Sequence, residues 1–130
     1  MAKVLVIEEY QYLRALYFEE LKEQGYDVEL AADGNEALTK LEMTRFDIVV
    51  MNTTRRRTNE AEVMRRIRTL KPRIPIILTT VNDGPGNGSA PRGAEACLAK
   101  WPDLCLLRTK IQELLASSRE AAPQESRSGR

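Results

Sequence analysis

The chain has 130 residues, of which 42% are hydrophobic and 30% charged, and a formal net charge of +1. That is the balance of one soluble domain with a core of ordinary size, and it leaves no overall field to draw nucleic acid or an anionic membrane. Histidine is absent, and the two cysteines, Cys97 and Cys105, lack metal-ligand spacing, which argues against zinc sites and every His-based dyad or triad.

The apolar run "KVLVI" (3–7) has the β-branched content of a buried parallel strand. Residues 10–24 read as a helix with Leu13, Leu16, Tyr17 and Leu21 on one stripe, stopped by Gly25. "YDVELA" (26–31) is a second strand. A turn at Asp33-Gly34 opens a helix over 32–42 that carries Ala37, Leu38 and Leu41 inward. "DIVVM" (47–51) is the third strand. Residues 59–70 form a helix with Val63, Met64, Ile67 and Leu70 on its apolar side, ended by Pro72. "IPIILTT" (74–80) and "EACLA" (95–99) are strands four and five. A last helix over 103–117 turns Leu104, Leu107, Ile111, Leu114 and Leu115 inward. Residues 1–118 thus read as one domain and 119–130 as a disordered tail.

Strands alternating with helices, joined by connections too long for hairpins, imply a parallel sheet with helices on both faces. One link breaks the alternation. "NDGPGNGSAPRG" (82–93) holds four glycines and two prolines where a fourth helix belongs, so that helix is shortened or replaced by a loop. The charge is uneven as well. Residues 1–47 carry 11 acids and 5 bases, and residues 55–73 carry 8 bases and 2 acids. Solvated helix faces or a basic docking patch both account for that. The start of the chain reads as a strand rather than a signal peptide, and no apolar run approaches a membrane span, so the expected place is the cytoplasm, with free thiols.

The stretches "KVLVIEEYQYLRALYFEEL", "GYDVELAADGNEAL", "RFDIVVMN", "PIILTT" and "GAEACLAKWP", in that order and spacing, resemble the receiver domain of two-component response regulators. The resemblance covers about residues 3–117. It implies a flavodoxin-like (CheY-like) three-layer sandwich on a five-stranded parallel sheet of order 2-1-3-4-5. It also implies site residues. The acidic pair that helps to bind Mg²⁺ falls on Glu8 and Glu9, the phosphoacceptor position on Asn52, the hydroxyl on Thr80 with Thr79 as the adjacent, inward side chain, and the phosphate-binding lysine on Lys100. Cys97 stands where the family has its switch aromatic. Trp101 and Pro102 follow the lysine.

The departures carry the functional reading. A carboxylate attacks phosphorus and carries an acyl phosphate, whereas the carboxamide of Asn52 is a poor nucleophile. Asn52 also takes a charge away from any Mg²⁺ site, which then rests on Glu8 and Glu9 alone and is weak or lost. No cofactor is expected. An arginine among Arg55, Arg56 and Arg57 folds back onto the acids in one reading and points to solvent in the other. The expected protein is an atypical, stand-alone receiver that is not an enzyme and acts by protein–protein contact in two-component signalling, independently of phosphorylation. Cys97, Trp101 and Arg55–Arg57 are its candidate contact points. The alternative is a small-ligand or phosphate-binding domain using the strand-end crevice. Nucleic-acid binding by Arg65, Arg66 and Arg68 lacks a stacking platform.

Overall fold

The computed structural model describes residues 2–53, 60–80, 96–99 and 107–117. In chain order these form β1 (Lys3–Ile7), α1 (Gln11–Glu23), β2 (Asp27–Ala31), α2 (Gly34–Met43), β3 (Ile48–Thr53), α3 (Glu60–Leu70), β4 (Ile76–Thr80), β5 (Ala96–Ala99) and a helix over 107–117, here α4. The strands pair in parallel in the order β2-β1-β3-β4-β5. The expected α/β parallel sheet is present. The Gly/Pro stretch 82–93 and the tail 119–130 lie outside the described residues.

Period-two alternation splits the core into two layers. Val4, Val6, Ile48, Val50 and Ile77 face one way, against Leu13, Tyr17 and Leu21 of α1 and Leu107, Ile111 and Leu115 of α4. Leu5, Ile7, Val49, Met51, Ile76 and Leu78 face the other way, against Ala37 and Leu41 of α2 and Met64 and Ile67 of α3. Each fully buried Leu or Ile contributes about 1.5–3 kcal/mol over leaving it in water. These two layers therefore fix the strand register, because a slip by one residue would turn every apolar side chain the wrong way.

Local signals set the helix ends. Gly25 has φ 94, a left-handed conformation that suits glycine. Its N–H donates to the Lys22 carbonyl at 2.9 Å, and the Tyr26 N–H reaches the Leu21 carbonyl at 3.2 Å, closing α1 in a Schellman motif. Asp33 caps α2 by accepting from the Glu36 N–H at 2.9 Å, and the Glu36 carboxylate reaches back to the Ala32 N–H. One reading of the sequence is corrected. Leu16 is not part of the inward stripe of α1 but 45% exposed. Leu13, Tyr17 and Leu21 recur every four residues and form a stripe too narrow to include it.

β3 and β4 also differ from the expected bounds. β3 runs past its apolar stretch through Asn52 and Thr53, which pair with Thr79 and Thr80. β4 begins at Ile76 rather than residue 74, since Pro75 has no N–H to give the ladder; its carbonyl accepts from Val49 at 3.0 Å.

Candidate functional site at the strand tips

The alternation that builds the α1-side core also builds the site. Val6, Val50 and Ile77 point toward α1. Two residues further along the same strands come Glu8, Asn52 and Thr79, and the period of two returns them to that face. There the apolar layer ends and a polar one begins. Glu8 has no exposed surface and Thr79 is buried. The Thr79 hydroxyl donates to Asn52 Oδ1 at 3.4 Å. The other half of that amide, Nδ2, is buried and has no hydrogen-bond partner among the described residues.

α1 closes the cluster from above. Tyr17 is buried against the same face. Burial pushes its phenol above the ordinary 10.0, the Thr79 side chain opposes this by hydrogen bonding, and the charge on Glu8 adds to the rise. The same helix holds the end of β1. Arg14 Nη1 donates to the carbonyl of Glu8 at 2.7 Å and to that of Glu9 at 3.0 Å. The Glu8 carboxylate accepts from the Tyr10 N–H at 3.0 Å, and the Glu8 N–H continues the ladder to the Ala31 carbonyl. The turn from β1 into α1 is thus tied at both its carbonyls and its acid.

Of the residues expected here from the sequence, the structure brings Glu8 and Asn52 into one polar cluster and places the half-buried Glu9 beside them in sequence at the β1 end. The hydroxyl that meets Asn52 belongs to Thr79. Thr80 stands one place on, paired with Thr53 and with Ala99 of β5. Cys97 lies in β5 opposite Leu78. Lys100, Trp101 and Arg55, Arg56 and Arg57 lie outside the described residues, and so does any contact of those arginines with Glu8 or Glu9. Sequence reasoning missed Arg14 and the Tyr17 hydroxyl. Tyr17 was legible only as an apolar stripe member, and its position three residues after Arg14 was the one available signal.

An acid at the tip of β1 beside a polar group at the tip of β3, in a sheet of this order flanked by helices, defines a receiver-type α/β domain. The response regulator receiver domain family matches residues 4–112, and the chain belongs to that family. Among curated proteins it is similar to the response regulator MprA of Mycobacterium sp. strain KMS, 32% identical over 125 residues, covering 95% of this chain and 53% of that protein. It is also similar to the alkaline phosphatase synthesis transcriptional regulatory protein PhoP of Bacillus subtilis, 33% identical over 81 residues, covering 62% of this chain and 34% of that protein. The chain therefore spans about half the length of the first and a third of the second. Among solved structures it is similar to the response regulator TrrA of Thermotoga maritima, determined with Mg²⁺ and BeF. That match is 28% identical with a TM-score of 0.76, covering 88% of this chain and 99% of the other.

Mg²⁺ belongs to the chemistry of this family, so the donors have to be tested against it. The ion needs several oxygen ligands in near-octahedral array. Asn52 offers a neutral oxygen already engaged by the Thr79 hydroxyl, and its buried Nδ2 is a donor with the wrong polarity for a cation. One Glu8 oxygen is taken by a backbone N–H. Among the described residues no three acids, cysteines or histidines gather closely enough to share an ion. Among the described residues these donors do not fit Mg²⁺. No described helix is long and apolar enough to cross a membrane.

Proposed function

We propose that this receiver works in the cytoplasm as a fixed recognition surface for a protein partner of a two-component pathway, without a phosphoryl group on β3 and without catalysis of its own. The observation that carries the reading is Asn52. Phosphorylation at the β3 tip needs a carboxylate oxygen free to attack. The residue there is an amide whose oxygen accepts from Thr79 and whose nitrogen is buried. A neutral amide oxygen has neither the charge nor the lone-pair availability of the nucleophile.

The surroundings support a site held in one state. Arg14 ties the two carbonyls at the end of β1, and Tyr17 packs over Thr79 and Glu8. The Gly/Pro composition of 82–93 and Cys97 in place of an aromatic support the loss of the lever that would transmit a switch. What remains is surface. α1 leaves Tyr12 68% and Leu16 45% exposed, one turn apart. Large apolar side chains paired on one exposed helix face suit protein contact.

The test is amide NMR of the whole chain titrated with beryllofluoride and Mg²⁺. The expected result is an unchanged spectrum at Glu8, Asn52, Thr79 and Thr80. Saturable, localised shifts at those four residues would contradict the proposal, because they would report a site that still binds the phosphoryl mimic.

A further inference from the structure

The outward face of α1 carries a stripe that the packing of the core does not use. Tyr12, Leu16, Glu19 and Glu23 follow one another at intervals of four, three and four, with Ala15 beside Leu16, and all five are exposed. At about 100° and 1.5 Å per residue, the four share an arc of roughly 60° and run along about 16 Å of the helix axis. The two ends of the stripe differ. The N-terminal end is apolar, with Tyr12 and Leu16 one turn apart and the Tyr10 ring 6.4 Å from that of Tyr12. The C-terminal end is acidic, since Glu23 is the last residue of α1 and Glu19 stands one turn before it.

The other charges of α1 are engaged. Arg14 donates to the Glu8 and Glu9 carbonyls, Glu20 pairs with Arg108 at 3.9 Å, and the Lys22 ammonium lies 5.5 Å from the Phe18 ring centre. That leaves Glu19 and Glu23, whose carboxylates make no ion pair or hydrogen bond among the described residues. Their placement costs stability. Like charges four residues apart repel, and an anion at a helix C-terminus opposes the aligned carbonyl dipoles. A stripe that is apolar at one end and anionic at the other is complementary to a segment that is apolar and cationic in the same order. A second copy fits it badly. Antiparallel pairing would set Glu19 and Glu23 of one copy against Leu16 and Tyr12 of the other, and parallel pairing would set acid against acid. The same acids repel nucleic acid and anionic lipid.

We infer that the outward face of α1 docks a basic amphipathic helix of a protein partner, its aliphatic side chains on Tyr12 and Leu16 and its cationic groups on Glu19 and Glu23. This rests on the reading above that the chain works by protein contact, and it adds the chemistry of the partner. The beryllofluoride titration reports on the crevice and the present test on α1, so either can fail while the other stands. The probe is a fluorescein-labelled helical peptide with Leu on one half of a face and Arg on the other half of the same face, followed by anisotropy on the whole chain beside a counterpart with Glu in place of Arg. Glu19→Gln/Glu23→Gln is expected to weaken binding about tenfold, and added salt should weaken it in the natural chain. Leu16→Ser should also weaken it about tenfold. Circular dichroism melting establishes that each variant folds, and Tyr12→Ala replaces Leu16→Ser if that variant does not. The Gln double variant should melt no lower than the natural chain, because the carboxylates it removes are unpaired. Equal affinity for the Arg and Glu peptides, or unchanged affinity in a folded variant, would overturn the proposal. A lower Tm of the Gln double variant would overturn it by giving the acids a structural role. Self-association in sedimentation that Leu16→Ser abolishes would overturn it too, by assigning the face to a second copy.

Discussion

Replacing Asn52 by Asp probes the crevice most fully, because it restores a carboxylate at one atom's cost in shape. By register the new acid sits one strand away from Glu8, which has no exposed surface. Neighbouring strands are about 5 Å apart, and two like charges at that separation repel by about 3 kcal/mol at an effective dielectric of about 20. Two gains offset this. The Nδ2 donor, which has no partner among the described residues, disappears, worth about 1 kcal/mol or somewhat more, and the Thr79 hydroxyl then donates to a charged oxygen, worth about 1 kcal/mol extra. The expected balance without metal is a loss of roughly 1 kcal/mol. With Mg²⁺ the repulsion becomes attraction to a shared ion. At roughly ten to a hundred times the dissociation constant, binding adds about 1.4–2.7 kcal/mol, or a rise of about 5–10 °C in Tm for a domain of this size. The assay is thermal unfolding of both proteins over a Mg²⁺ series. The natural chain should not respond beyond the general effect of salt. A natural chain that gains as much Tm from Mg²⁺ as the Asn52→Asp variant would refute the reading that an amide at position 52 disables the site.

Other perturbations test other parts of the account. Tyr17→Phe removes the hydroxyl that meets Thr79 and should cost about 1 kcal/mol in urea unfolding. Because burial raises the Tyr17 pKa, its contribution is fully present below 10.0 and is lost as pH climbs past that value, so the Phe variant should show a flatter alkaline stability profile. Glu29 is held below its ordinary 4.5, chiefly by the hydrogen bond from Lys3 and then by Lys40. Its contribution is present above 4.5 and fades as pH falls, and Glu29→Gln should flatten the acid limb by only a few tenths of a kcal/mol, given the exposure of the pair. At Gly34 an added Cβ would stand 2.5 Å from Val63 Cγ2. Gly34→Ala should therefore destabilise by about 1–3 kcal/mol as α2 and α3 are pushed apart, and the double variant with Val63→Ala should recover most of that in the same denaturant titration.

The fold was legible where one physical signal dominated. The apolar runs 3–7 and 48–51 have no alternative as parallel strands, and Gly25 and Asp33 mark helix ends by backbone geometry that few other residues supply. Glu8 and Asn52, which the resemblance to receivers pointed out, stand at the tips of two such runs and meet in one polar cluster. The site was less legible at the threonines, where the resemblance put the inward side chain on Thr79 but the site hydroxyl on Thr80. "IILTT" is apolar toward both layers, so nothing in its composition tells which threonine faces α1; the pairing of Val49 with Ile76 decides that. Leu16 was misjudged, whereas Tyr17 is buried as expected and only the role of its hydroxyl was missed. Adjacent on the helix, they differ only in rotation about its axis, and the packing of α1 sends one to solvent and the other over Thr79 and Glu8. The Arg14 tie depends on the turn after β1 folding back beneath α1, which periodicity does not encode.

The central claim is that the β3 tip does not accept a phosphoryl group. Intact-protein mass spectrometry after incubation of the whole chain with a phosphorylated histidine kinase, beside the Asn52→Asp variant, addresses it directly. The natural chain is expected to keep its mass while the variant gains one phosphoryl group that hydroxylamine removes, as it does an acyl phosphate. The same labile gain on the natural chain, mapped to β3, would contradict it.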